Sequence, residues 1–250
     1  MSRPAIRHLS KTDPTMRALI RRVGPCGLAV RHHSPFETLV RAIAHQQIHG
    51  RAAEAILGRF IALFPGRRFP TPEQIVTVDA RRMRRAGFSR AKTRSIKDIA
   101  RKTRSGLIPT RAACHRLTDA ELIERLIQVR GVGQWTVEML LMFTLGRPDV
   151  LPVDDFGVRE GFKQAYGRRK QPTPKQLRLY GARWSPHRSV AAWYLWRAVD
   201  LHRAGKLPAP GVKTRVKLVK KRPKKKKSSA KRVAKKTKRV RKARARRANK

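Results

Sequence analysis

Leu126-Ile127-Gln128-Val129-Arg130-Gly131-Val132-Gly133-Gln134-Trp135-Thr136 is the stretch on which the fold turns, and Asp155 follows twenty residues after Trp135 in Leu151-Pro152-Val153-Asp154-Asp155-Phe156. Upstream, Thr118 with Glu121 three positions later has the form of a capping box. It predicts a helix with Leu122, Ile123, Leu126 and Ile127 on one side, ending near Arg130. Gly131 and Gly133 then make a tight turn in which the absence of a side chain lets a phosphate approach the backbone amides. The next helix, from Gln134 to about Leu145, is apolar on nearly every side and is expected to be buried. Gly146 and Pro148 stop it. A loop then leads to Asp154 and Asp155, either of which can cap a third helix over roughly 155–166.

Charge points the same way. The 250 residues hold 62 Lys and Arg against 15 Asp and Glu, a formal net charge of +47. Such a chain calls for a polyanionic partner. Residues 213–250 carry 22 of the basic residues and no acid, and residues 1–212 still hold an excess of 25 positive charges. The expected organisation is a globular domain over 1–212 and a Lys/Arg-rich tail over 213–250, disordered when free because it cannot bury a core. The tail reads as an electrostatic DNA tether or, alternatively, as a nuclear import signal. No alternating strand pattern of any length occurs, so the fold class is all-α. No apolar run reaches the roughly 20 residues of a membrane span, and Met1 to Thr15 lacks an apolar signal core; an intracellular protein without membrane partners is expected. Cys26 and Cys114 are too few for a disulfide framework or a four-cysteine iron–sulfur cluster.

The hairpin with its downstream Asp resembles that of the helix-hairpin-helix DNA glycosylases, most closely the 3-methyladenine DNA glycosylase II branch concerned with alkylation repair. Three further blocks in the same order support the resemblance: Pro35-Phe36-Glu37 running on to His45-Gln46-Gln47-Ile48, Ala86-Gly87-Phe88-Ser89 with Lys92, and Arg183-Trp184-Ser185-Pro186-His187 through Trp193-Tyr194-Leu195-Trp196-Arg197. Together they cover about residues 12–205. The resemblance implies a two-lobed helical fold with the active site between the lobes, and a monomer. Only about thirty residues precede Pro35, so the compact form without a strand-rich N-terminal domain is expected.

The implied activity is that of a monofunctional DNA-3-methyladenine glycosylase II, an N-glycosyl hydrolase of base excision repair. Its partner would be double-stranded DNA containing alkylated purines of the 3-methyladenine or 7-methylguanine type. The chain would be DNA-associated, in the bacterial cytoplasm and nucleoid or in a eukaryotic nucleus. A base inside a duplex has to be extruded before chemistry can reach it. Gly131, Gly133 and the Thr136 hydroxyl suit the phosphate grip beside the lesion, at the N-terminus of the helix from Gln134. By resemblance Gln46 and Gln47 reach the minor groove, with Gln47 filling the gap left by the flipped nucleotide, and His49 stands where relatives have Ser.

Asp155 is the catalytic candidate, a carboxylate that stabilises the oxocarbenium character of the departing sugar, while Asp154 is assigned to helix capping. Trp135 occupies the hairpin position where bifunctional relatives carry a Schiff-base lysine, so no strand-cleaving lyase step is expected. Trp135, Phe156 and His187 are the expected base-binding residues; Trp193 and Trp196 read as core. His187 departs from the family's usual Trp or Tyr, and protonation there would repel a cationic base. No cofactor is expected, no iron–sulfur cluster and no catalytic metal, although the family often holds a monovalent cation on hairpin carbonyls. Two other readings stay open: a non-enzymatic DNA-binding or nucleoid protein, and a glycosylase for deaminated or oxidised bases.

Overall fold

The computed structural model describes residues 3–207; the expectations for the basic segment 213–250 lie outside the described residues. Among those residues the chain forms thirteen α-helices and no strand. The first seven are α1 (Arg3–Thr12), α2 (Pro14–Val23), α3 (Pro35–His45), α4 (Gly50–Ile61), α5 (Pro72–Thr77), α6 (Ala80–Arg85) and α7 (Arg90–Arg104). They are followed by α8 (Arg111–His115), α9 (Asp119–Leu126), α10 (Gln134–Phe143), α11 (Phe156–Ala165), α12 (Pro174–Gly181) and α13 (Arg188–Arg203).

Local signals set these boundaries. Ten of the twelve helices from α2 to α13 open on a residue whose side chain accepts a backbone N–H of the first turn. The Thr118–Glu121 capping box forms as expected at the start of α9. That helix ends at Leu126 rather than near Arg130, because the Val129 N–H turns back to the Leu126 carbonyl at 3.1 Å and closes the chain into the hairpin early. Similarly α10 ends at Phe143, two residues before Leu145, where both Thr144 and Leu145 N–H groups converge on the Leu140 carbonyl.

The helices pack as two lobes. One combines the two ends of the described chain, α1 and α2 with α11, α12 and α13; the other contains α3 to α7 with α9 and α10. The first lobe depends on an unusually close approach between α11 and α13. A Cβ on Gly161 would lie 1.8 Å from the Leu195 carbonyl oxygen, so only glycine lets the two helices meet. The same lobe buries the Asp13 carboxylate completely. It accepts the Thr15 and Met16 N–H groups at 3.0 and 3.1 Å, the Tyr166 hydroxyl at 2.6 Å and the Trp184 indole N–H at 3.0 Å. Four donors replace its lost hydration. Burial first, and then the Asp13 charge, keeps the Tyr166 hydroxyl protonated well above its ordinary range. One carboxylate thus ties the start of α2 to the aromatic cluster of Phe162, Tyr166, Tyr180 and Trp184.

Candidate active site and nucleic-acid grip

The hairpin between α9 and α10 is held from outside as well as by its own turns. Gly131 has φ +78°, and a Cβ there would sit 2.7 Å from the Ser95 hydroxyl on α7 and 3.3 Å from Ile43 on α3. Both the conformation and the close approach demand glycine. Gly133 differs: its φ of −98° is open to any residue, and no atom lies within 4 Å of a Cβ built on it.

Gly133 is also the N-cap of α10, and it offers no side-chain acceptor to the first-turn N–H groups. Among α2 to α13 only α13 also begins on a residue without a capping bond, and there the Asp149 carboxylate reaches over to the Arg188 N–H at 3.2 Å. Helix α10 therefore presents uncapped N–H groups, with the positive end of its dipole, at an exposed glycine. An anion fits this geometry.

Asp155 stands at the start of α11, on the other lobe, and is buried. Its Oδ1 accepts the Val158 N–H at 2.7 Å and the Trp196 indole N–H at 2.9 Å; its Oδ2 accepts the Trp135 indole N–H at 2.6 Å. Trp135 belongs to α10 and Trp196 to α13, so the carboxylate joins three helices and both lobes. It is also the cap of α11. The capping role assigned to Asp154 is thereby corrected: Asp154 is exposed in the turn before the helix, while Asp155 provides the cap.

Aromatic surface surrounds this carboxylate. Trp135 is 45% exposed and Phe156 69% exposed. The expectation of a fully buried α10 fails at its first turn, where Gln134 and Trp135 project beyond the core. Phe143, at the end of α10, stacks on Trp196 with ring centroids 5.8 Å apart and planes 26° from parallel. A Cβ on Gly157 would meet Trp196 at 2.8 Å and Asp155 Oδ1 at 3.1 Å, which explains why a glycine follows Phe156. One turn along α10 from Trp135, the buried Glu138 accepts the Gln134 amide at 2.9 Å. Burial pushes its carboxyl above the ordinary value against the Gln134 bond, and the charges of Asp154 and Asp155 add to the rise. A local concentration of carboxyl groups thus lies within a strongly basic protein.

The other expected site residues divide. Gln46 lies in the α3–α4 turn and donates its amide to the Gly131 carbonyl at 3.0 Å, so it braces the hairpin. Gln47 beside it is exposed with φ +58°, a conformation rare for a residue with a side chain. Thr136 is only 4% exposed and faces the core, not the open side of the hairpin. His187 is not brought to Asp155. It precedes α13 and packs edge-on against His8 of α1 with centroids 5.5 Å apart, about 13 Å along the helix from Trp196. Sequence reasoning missed Trp196 as a site residue, and with it Phe143 and Glu138. The only signal for Trp196 was its place in the last block, where Trp193 stands three residues earlier.

Comparison with known proteins was consistent. Residues 40–187 match the model of the HhH-GPD superfamily of base excision DNA repair proteins. The chain is 44% identical over 196 residues to DNA-3-methyladenine glycosylase 1 of Schizosaccharomyces pombe, covering 78% of this chain and 86% of that protein. The solved structure of the Schizosaccharomyces pombe 3-methyladenine DNA glycosylase in complex with abasic DNA superposes with a TM-score of 0.71 at 44% identity, over 78% of this chain and 95% of that one. A DNA-3-methyladenine glycosidase structure from Bacillus halodurans gives a TM-score of 0.75 at 33% identity, over 83% and 94% of the two chains.

Proposed function

This chain belongs to the HhH-GPD superfamily of base excision DNA repair proteins, and we propose that within it the chain is a monofunctional DNA glycosylase that flips alkylated purines out of duplex DNA and hydrolyses their glycosidic bond. The observation that carries this reading is the Asp155 carboxylate, fixed by two indole N–H groups and a helix N–H next to an uncapped helix end. In the reaction, the electron pair of the glycosidic bond leaves with the base and the sugar acquires oxocarbenium character. A carboxylate with a fixed position stabilises that charge without reorganising, and more strongly in a site sheltered from water. Water then adds to the sugar carbon and gives up a proton, leaving an abasic site.

Alkylation at N3 or N7 places positive charge on the purine and weakens the bond to be broken. Trp135, Trp196, Phe143 and Phe156 offer aromatic faces for such a base, with cation–π attraction of about 0.5 to 2 kcal/mol per favourable pairing. The carboxyl groups of Asp154 and Asp155, whose charge is felt at Glu138, make the neighbourhood attractive to a cation. Trp135 has no amine with which to form a Schiff base, so the strand stays intact at this step. Gly131 and Gly133 with the first amides of α10 grip the phosphate beside the lesion, and Gln47 occupies the vacated stack. His187 takes no part in the base pocket, and Thr136 acts through packing. The chemistry asks for no cofactor, and the protein acts as a monomer.

The chain acts on DNA, and we place it in the nucleoid or the nucleus, with residues 213–250 as an electrostatic tether. Among the described residues no helix is long and apolar enough to cross a membrane. The test is single-turnover incubation of the full chain with methylated duplex DNA, scoring free base and strand breaks separately. Release of 3-methyladenine or 7-methylguanine with alkali-labile but unbroken strands is expected. Tight binding without release from these or from deaminated and oxidised duplexes would leave a DNA-binding protein, and nicking without alkali would refute the monofunctional assignment.

A further inference from the structure

Helix α7 sorts its basic residues by kind. Arg90, Arg94, Arg101 and Arg104 are exposed, whereas Lys92, Lys97 and Lys102 are half-buried. Each lysine bonds a carbonyl at the C-terminal end of a different helix. Lys92 donates to Ala44 at the end of α3 at 2.8 Å, and Lys97 to Val76 and Val78 at the end of α5 at 3.0 and 2.6 Å. Lys102, 3.3 Å from the Asp98 carboxylate, donates to Gln128 just beyond α9. The last carbonyls of a helix have no partners within it and form the negative end of its dipole, so an ammonium suits them. Burial lowers the Lys92 ammonium below its ordinary range, as befits a cation turned away from water.

The end of α3 matters because Gln47 follows it. Residues 46–49 connect α3 to α4, and three bonds tie this turn and its flanks. Lys92 holds Ala44, the His45 ring meets the Glu54 carboxylate of α4 at 2.9 Å, and the Gln46 amide reaches the Gly131 carbonyl of the hairpin at 3.0 Å. None of the three uses Gln47. Its left-handed backbone, φ +58°, sits among them, while its exposed side chain has no partner among the described residues. Such a conformation persists where the surrounding structure over-determines it.

We propose that Lys92 is a positioning residue for the plug: through the Ala44 carbonyl, and with Gln46 as the second tie, it fixes the α3–α4 turn so that Gln47 meets DNA already in the conformation that fills the vacated stack. A turn ordered in advance loses no further conformational freedom when DNA arrives. The Gln46 bond also joins the turn directly to the hairpin. The inference deepens the reading of Gln47 as the replacement for the flipped nucleotide and rests on it.

The test measures the affinity of the full chain for a duplex containing a tetrahydrofuran abasic analogue and for the same duplex undamaged, at one ionic strength. The ratio of the two removes the electrostatic attraction common to both. Lys92→Met is expected to lower this ratio about tenfold, the scale of one hydrogen bond from a charged group. Lys97→Met is the control, since it removes the same charge from the same helix but frees only the end of α5; its ratio should stay within about twofold of wild type. Lys92→Arg, which keeps a cationic donor, should recover most of the loss. A residue that acts through Gln47 matters little once Gln47 is gone, so in a Gln47→Ala background Lys92→Met should change the ratio by less than about twofold.

An undiminished effect of Lys92→Met in that background would overturn the proposal. So would a Lys92→Met protein weakened equally toward both duplexes, the behaviour of a phosphate contact, or one whose ratio matches that of Lys97→Met. Should Lys92→Met not fold, Gln46→Met, which removes the amide donor to Gly131, takes its place in the same cycle. If Gln47→Ala alone leaves the ratio at the wild-type value, Gln47 is not the plug and the underlying reading fails; if Gln47→Ala lowers the ratio and Lys92→Met does not, only the positioning role fails.

Discussion

Asp155→Asn is the substitution that separates the two tasks of this residue, helix cap and fixed charge. Asparagine caps a helix about as well as aspartate, so the bond to the Val158 N–H, now 2.7 Å, can persist. The carboxylate, however, receives two donors on Oδ1 and one on Oδ2. A carboxamide has a single acceptor oxygen. With that oxygen in the Oδ1 position, its NH2 group confronts the Trp135 indole N–H across what is now 2.6 Å, and Trp135 must turn away. Trp135 is half exposed and can turn toward water, so the folded state should lose no more than about 1 kcal/mol.

The catalytic loss is far larger. A unit charge about 4 Å from a developing cation, at an effective dielectric near 20, contributes about 4 kcal/mol, or about a thousandfold in rate. Removing a single preorganised electrostatic group from enzyme sites costs about a hundred- to a thousandfold, and the two scales agree. Single-turnover base release at saturating protein should therefore fall by about 10²- to 10³-fold, with abasic-duplex affinity kept within a few-fold and the melting transition nearly unchanged. Release within tenfold of wild type would refute the assignment of the fixed charge to Asp155.

Trp196→Phe should keep the stack on Phe143 and lose the indole N–H to Asp155; a hydrogen bond to a charged group is worth about 1.5–3 kcal/mol, so base release slows at least about tenfold, measured in the same assay. Gly161→Ala forces a methyl into the Leu195 carbonyl and should destabilise the fold by about 3 kcal/mol or more in denaturant titration. Asp149 accepts two bonds from the Arg188 guanidinium and one from Ser185, and these hold its carboxyl below the ordinary 3.8 although burial opposes them. A carboxyl depressed in the folded state stabilises above its ordinary value and ceases to as pH falls through the depressed one, so the difference in melting temperature between wild type and Asp149→Asn should be present at neutral pH and close in strong acid. Removal of 213–250 should flatten the dependence of log affinity on log salt by about 0.9 for each phosphate that the segment neutralises, with single-turnover release at saturating protein unchanged.

Features contained in one short run of residues were legible in the sequence. The Thr118–Glu121 box, the glycine pair, Trp135 and Asp155 all occur within forty residues and appear in the structure close to where their spacing puts them. Features set by helix phase or by packing between distant segments were not. Thr136 follows Trp135 directly, and the roughly 100° step between neighbours on a helix sends one ring to Asp155 and the other side chain into the core. Trp193 and Trp196 look alike in the sequence; the close approach of Gly161 to Leu195 determines how α13 lies against α11, and so which indole meets the carboxylate. His187 sits within ten residues of Trp196, but a helix converts that separation into a distance too great for one pocket. The Asp98–Lys102 pair, lying on a helix crowded with charge, has no sequence pattern that distinguishes it from ordinary surface residues.

Gly133 also bears on what stability selection would do to this protein. A helix that opens on Ser, Asp or Asn gains roughly a few tenths of a kcal/mol over one that opens on glycine, and α10 forgoes that contribution in the free protein. In the proposed grip a DNA phosphate completes the helix instead, and the last piece of the fold is borrowed from the substrate. Mutagenesis guided by heat resistance alone would find a hydroxyl or carboxylate at 133 attractive, since the position tolerates it sterically. The sturdier protein obtained would have closed its own hand, and damaged DNA would no longer be what it needs to be whole.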